Sequence, residues 1–121
     1  MRFLTLAATA AALAAVSAAL AAPAAQALTP RTVFGTVTCK QGHRSSPPVA
    51  VWVVAEKGES GWADLDDPFG DHGWVREYSY TAYDAERFRL VVGCGGTESQ
   101  AERAVVTDWI KSGRHNLTVN Y

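Results

Sequence analysis

The sequence predicts a small all-β domain, an antiparallel sandwich of about six or seven strands with one disulfide. Three observations predict this fold class. Short β-rich segments alternate with glycine- and proline-containing turns after residue 27. None of those segments has the convincing apolar period of an amphipathic helix. The chain also carries two cysteines, Cys39 and Cys94, and an even count is typical of a bridged, exported domain.

The first 27 residues have the features of a secretory signal peptide. Met1 and Arg2 precede a long run of alanine and leucine, Pro23 breaks that run, and Ala25-Gln26-Ala27 fits the A-x-A rule for cleavage. A retained membrane anchor is the alternative, because the run is long enough to span a bilayer. The weak hydrophobicity of alanine favours cleavage. We therefore expect one secreted, extracellular domain at residues 28–121.

The charges of the chain are balanced and interspersed. There are 11 basic and 12 acidic residues, for a formal net charge of −1. A nucleic-acid binder or a protein that binds anionic membranes would need a clustered basic face. Partners of neither kind are expected, and no membrane association is expected after the signal peptide is removed.

The predicted strands are rich in valine, threonine and aromatic residues and end at turn residues. The segment 49–55 is apolar on both faces, which indicates a central, well-covered strand. Residues 99–110 leave a short helix open as an alternative. In chain order, strands are predicted at 32–39, 49–55, 61–63, 74–82, 87–94, 104–109 and 116–121, and loops at 43–48, 64–73 and 95–103.

Strand parity predicts that both cysteines point into the core. Cys39 shares the more apolar face of its strand with Val33, Gly35 and Val37, and Cys94 shares a face with Phe88, Leu90 and Val92. A Cys39–Cys94 bridge would close a loop of about 55 residues and stabilise the fold by roughly 4 kcal/mol. Gly93, Gly95 and Gly96 would then allow a sharp exit with positive φ beside the bridge. The rival interpretation is a reactive thiol on a glycine-rich loop.

Four segments carry a resemblance to known proteins. "VFGTVTCKQG", "VAVWVVAEKGESGWA", "YSYTAY" and "RFRLVVGCGGT" follow one another within residues 31–97. The pattern resembles small secreted actinobacterial proteins with V-x-G-x-V-x-C, VWV, S-G-W-A and G-C-G-G-T motifs. The layout is also similar to prealbumin-like, carboxypeptidase-regulatory-like sandwiches, so the expected sandwich is prealbumin-like or immunoglobulin-like. The resemblance implies a non-catalytic folding, adhesion or binding unit and supplies no catalytic residue.

An aromatic stripe is the main candidate for a binding site. Trp74, Arg76, Tyr78 and Tyr80 share one face of a predicted strand, and Trp62 is placed nearby. Flat rings on a rigid sheet stack on sugar rings, and an arginine can bond hydroxyls or carboxylates. The alternative is that these rings form the core, with Arg76 extending from its edge.

The remaining titratable residues carry weaker signals. The loop residues Asp64, Asp66, Asp67 and Asp71 offer oxygen ligands for Ca²⁺, but a solvated loop is the default because the spacing fails the EF-hand pattern. The histidines show no zinc-ligand spacing. Asp71 and His72 could contribute to a hydrolase triad, but Asp-His pairs of this kind occur in the loops of many chains and indicate little. No cofactor, metal or catalytic residue is predicted.

The expected function is therefore a secreted, non-catalytic binding module for a cell-wall glycan or a protein partner. A secreted protease inhibitor is the alternative, because loops 95–103 and 40–48 adjoin the two cysteines of the predicted bridge. A hydrolase is the least favoured of the three classes.

Overall fold

A computed structural model describes residues 27–67 and 74–121. Every regular element in these two ranges is a β-strand, which confirms the predicted all-β class. The strands are, in chain order, β1 (Pro30–Gln41), β2 (Arg44–Ser46), β3 (Ala50–Ala55), β4 (Gly61–Trp62), β5 (Asp64–Leu65), β6 (Arg76–Tyr83), β7 (Phe88–Thr97), β8 (Gln100–Val106), β9 (Gly113–Arg114) and β10 (Leu117–Asn120).

These strands form two sheets that pack as a sandwich. The first sheet has the order β9–β1–β6–β5, with β10 and β2 also paired to β1. The second sheet has the order β4–β3–β7–β8. Neighbouring strands are antiparallel, except that β9 and β10 run parallel to β1. β1 is thus the central strand of the first sheet, and the pair β3–β7 is the centre of the second.

The core lies between the two sheets and follows strand parity. Valine, leucine and aromatic side chains alternate inward from β1, β3 and β7 and are nearly inaccessible to solvent. Burying such side chains contributes roughly 1.5–3 kcal/mol each before conformational entropy is counted. The core consists of Val33, Val37, Cys39, Val51, Val53, Ala55, Tyr78, Ala82, Ala85, Phe88, Leu90, Val92, Cys94 and Val119.

The predicted disulfide joins the two sheets. Cys39 on β1 and Cys94 on β7 form a bridge with their Cα atoms 5.8 Å apart, across 55 positions of sequence. Both residues are fully buried, as parity predicts, and the described part of the chain has no free cysteine. The bridge confirms the structural interpretation of these cysteines.

Three local expectations differ from the structure. Residues 100–106 are strand β8, which pairs with residues 91–97 of β7, so the helix left open as an alternative at 99–110 does not form and the strand predicted at 104–109 begins earlier. The segment predicted as a loop at 95–103 is a β-hairpin that continues β7 into β8. Residues 44–46 of the loop predicted at 43–48 form a hairpin with the end of β1.

The C-terminal segment pairs with β1 in two stretches, β9 and β10, which keep the same register and are separated by one short gap. Residues 113–114 pair with 33–34, and residues 117–120 pair with 37–40. Between them, Asn116 replaces a main-chain acceptor, since its Oδ1 accepts a hydrogen bond of 3.0 Å from the Thr36 amide. The described residues contain no helix long and apolar enough to cross a membrane.

Candidate binding groove

The tyrosines of the predicted aromatic stripe lie inside the sandwich. Tyr78 is only 2% exposed and belongs to the core. Its hydroxyl donates a 2.9 Å hydrogen bond to the carbonyl oxygen of His115. Burial raises the pKa of Tyr78 to about 12. The Tyr78 ring faces the other sheet and is packed in the hydrophobic core. It is therefore not accessible to a ligand.

Tyr80 also points towards the core, although it is half-buried. Its ring makes an edge-to-face contact with Phe88, with centroids 6.5 Å apart, and its hydroxyl donates to the carbonyl oxygen of Glu59. Burial raises the pKa of Tyr80, and the charge of Glu59 adds to the increase. This residue anchors the turn after β3.

Arg76 and Trp74 occupy the end of the sandwich near β1 and the 64–67 segment. Arg76 donates from Nε to the Asp66 carbonyl at 2.7 Å and from Nη1 to the Pro48 carbonyl at 3.2 Å. These bonds hold two loops together. Trp74 is 58% exposed. The five residues predicted as one ligand face are thus distributed over the core, the sandwich end and the second sheet.

Trp62 lies on the second sheet, where it pairs with a tryptophan that the sequence interpretation left out. Trp62 on β4 stands directly opposite Trp52 on β3. The two rings meet edge to face, with centroids 4.9 Å apart and planes at 80°. Trp62 is 64% exposed. Parity offered a signal for Trp52, because Val51 and Val53 point inward and place the residue between them on the outer face.

A groove runs beside these indoles on the outer face of the second sheet. Its floor is made of residues with small side chains, namely Ala50, Gly93, Ala101 and Ala104, and the groove has a volume of about 200 Å³. A Cβ atom added to Gly93 would lie 3.0 Å from the Cβ of Ala101. Small residues therefore create the depression, and the tryptophans form its wall.

The tip of the β7–β8 hairpin contributes to the lining of the groove. Gly95 and Gly96 have φ values of +72° and +77°, a region that glycine adopts without the Cβ penalty of other residues. The tip residues Glu98 and Ser99 then line the same cavities as Trp62. The glycines after Cys94 therefore direct the hairpin towards the indole pair.

The opposite end of this sheet face is closed by stacked arginines. The guanidinium carbons of Arg87 and Arg89 lie 5.2 and 4.5 Å from the centroid of the Trp109 ring. Arg87 also donates two hydrogen bonds of 2.8 Å to the Glu56 carboxylate, which lower the pKa of Glu56. Trp109 is thus contacted by arginines of its own chain, whereas Trp62 contacts Trp52 and is largely exposed.

The first sheet carries a polar depression on its outer face, of about 490 Å³, lined in part by Asp64, Asp66, Glu77 and Arg114. The Asp66 carboxylate accepts a 2.8 Å hydrogen bond from the Glu77 amide. Within residues 27–67 and 74–121, no group of three or more histidine, cysteine, aspartate or glutamate side chains is placed to hold a metal ion. Asp71 and His72 lie outside the described residues, as does most of the predicted signal peptide.

No protein-family model, curated protein or solved structure matches this chain. The resemblance to small secreted proteins and to prealbumin-like sandwiches therefore stays a prediction. The groove at Trp52 and Trp62 is the feature from which a function can be proposed.

Proposed function

We propose that this protein is a secreted, non-catalytic binding module that holds a saccharide of the cell wall in the Trp52–Trp62 groove. The observation that carries the proposal is the open indole of Trp62, held at a fixed angle by Trp52 on a disulfide-bridged sheet. Sugar rings present a C–H face that packs on an indole, and the rigid sheet avoids the entropic cost of ordering that ring on binding.

The shape of the groove favours a ring-shaped ligand over a long side chain. Alanines and a glycine leave room for a ring beside the indoles, and Glu98 and Ser99 line the same groove, where their side chains could bond sugar hydroxyls. The proposed ligand would therefore stack on Trp62 and hydrogen-bond to the hairpin tip.

The disulfide and the N-terminal sequence support a location outside the cell, where such a ligand would be met. The Cys39–Cys94 bridge is stable in an oxidising environment, and the sequence begins with the features of a signal peptide. Both features are compatible with a protein that works outside the cell.

Co-sedimentation with insoluble peptidoglycan, chitin and cellulose tests the proposal. The wild-type protein should sediment with at least one of these polymers. Trp62→Ala should reduce its affinity at least about tenfold, equivalent to about 1.4 kcal/mol. Because the Trp62 side chain is largely exposed, the variant should fold normally, which circular dichroism would check.

Trp74→Ala is the matched control. Trp74 and Trp62 are similarly exposed, at 58% and 64%, but Trp74 does not line the groove. Equal loss of binding in both variants would indicate non-specific adsorption through exposed tryptophans. Absence of sedimentation with every polymer would reject the saccharide proposal.

A protease inhibitor is a second candidate function, favoured by one observation. The exposed hairpin tip at Glu98 and Ser99 follows within a few residues of the bridged Cys94, and a tethered loop is suited to block an active site. Rates of secreted serine, cysteine and metalloproteases should fall on mixing if this candidate is correct. Unchanged rates at an excess of this protein would remove it.

A further inference from the structure

We infer that the Trp52–Trp62 groove selects a ligand with a positively charged ammonium group, such as a saccharide with free amino groups, and that Glu98 is its counter-ion. This inference rests on the proposed function and specifies the ligand class of the same groove. It goes beyond stacking, because it assigns a charge to the ligand and a role to the hairpin tip.

The charge distribution around the groove is the first argument. Among the described residues that line the groove, Glu98 alone is charged. Glu98 also lines the two neighbouring cavities, and Trp62 lines both of them as well. Arg76 and Asp64 also line one of these cavities, where the Arg76 guanidinium already donates to the Asp66 and Pro48 carbonyl oxygens. A carboxylate beside an apolar groove attracts a cation and repels an anion.

The geometry of the indoles is the second argument. An ammonium group is attracted to the negative face of a tryptophan ring within about 6 Å of its centroid. The planes of the Trp52 and Trp62 rings are nearly perpendicular, at 80°. A ligand group bound between them would contact the face of one indole and the edge of the other. Trp62 is largely exposed and has no cation over its ring among the described residues, in contrast to Trp109, which already carries two arginines.

The state of Glu98 is the third argument. Within the described part of the chain, its carboxylate makes neither an ion pair nor a hydrogen bond, whereas Glu56 and Glu86 are both paired with basic side chains. Gly95 and Gly96 direct this unpaired carboxylate to the groove. An incoming ammonium group would therefore gain a charge-assisted contact without breaking an existing one.

Calorimetric titration with two probes of equal length tests the inference. One probe is an oligomer of glucosamine, which carries ammonium groups at pH 5.5, and the other is the corresponding oligomer of N-acetylglucosamine. The wild-type protein should bind the glucosamine oligomer at least about tenfold more tightly. Glu98→Gln should abolish this preference, so that the variant binds the two oligomers with equal affinity.

Glu102→Gln is the matched control, because it removes one negative charge from the same hairpin at a residue that does not line the groove. It should retain the full preference. Equal loss in both variants would indicate attraction of a polycation to net charge and would overturn the inference. Equal binding of both oligomers, or binding of neither while peptidoglycan is still bound, would overturn it and leave the proposed function standing. Binding of neither oligomer, without sedimentation on any polymer, would reject both.

Discussion

The hydroxyl of Tyr78 donates a hydrogen bond of 2.9 Å to the carbonyl oxygen of His115, and so ties β6 to the C-terminal segment across the strand between them. That strand is β1, on which Gly35 stands directly opposite Tyr78. Because Gly35 has no side chain, the His115 carbonyl can approach β1 closely enough to receive this hydroxyl. The break between β9 and β10 therefore lies where the core tyrosine needs an acceptor.

The buried Tyr78 hydroxyl should make stability depend on alkaline pH. Burial raises the pKa of Tyr78 from 10.0 to about 12. The stabilisation is thus complete below pH 10 and is lost as the pH rises towards 12, because the unfolded chain ionises first. Tyr78→Phe should cost about 1–2 kcal/mol at neutral pH. Urea unfolding between pH 8 and 12 should show a smaller alkaline loss of stability in this variant than in the wild type.

Tyr83→Phe serves as the control for this titration, since Tyr83 is 55% exposed. Its pH profile should follow that of the wild-type protein. A Tyr78→Phe profile parallel to that of the wild type would contradict the assigned role of burial.

Gly35 should tolerate no side chain. Its φ is +145°, and an added Cβ would lie 2.1 Å from the His115 carbonyl oxygen. Gly35→Ala should destabilise the protein by roughly 3 kcal/mol or more, through backbone strain and steric overlap. Gly113 is the comparison, because its φ is +117° but an added Cβ meets nothing within 4 Å. Gly113→Ala should cost only about 1 kcal/mol in urea unfolding, and equal losses in the two variants would show that overlap with His115 is unimportant.

The disulfide should provide a large part of the stability. Replacing both Cys39 and Cys94 by alanine should lower the free energy of unfolding by roughly 4 kcal/mol, since the bridge closes a long loop in the unfolded chain. A reductant should destabilise the wild-type protein to a similar extent and leave the double variant unaffected. Alkylation of both thiols in protein that has not been exposed to a reductant would show that the bridge is absent.

The position of the hairpin tip should depend on Gly96. An added Cβ there would lie 2.4 Å from the Gln100 carbonyl oxygen, so the hairpin would have to shift. Gly96→Ala should move the Trp52 and Trp62 indole N–H signals in an NMR spectrum and weaken binding of any groove ligand. Gly42→Ala is the matched control, because Gly42 also has a positive φ, +63°, but an added Cβ there meets nothing within 4 Å. This variant should leave both indole signals in place. Unchanged indole signals in Gly96→Ala would show that the hairpin tip does not influence the Trp52–Trp62 groove.

Strand parity accounts for most of what could be predicted. The two-residue period places Val33, Val37 and Cys39 on one face and Leu90 and Cys94 on another, and the bridge follows from both faces being buried. The two-residue strands β5 and β9 were not predicted, because two residues carry no periodic signal. The hairpin at 95–103 was predicted as a loop because polar residues on an exposed strand look like loop residues.

The sequence by itself determined the all-β class, the inward faces of the main strands and the pairing of the two cysteines, because these depend on local periodicity and on a single possible partner. Tertiary structure decided which aromatic rings are exposed. Tyr78 and Trp62 look equally suited to a ligand in the sequence, but only contact between the sheets buries the first, and only the edge position of β4 exposes the second. Burial depends on residues far apart along the chain, so no local pattern could separate the two rings.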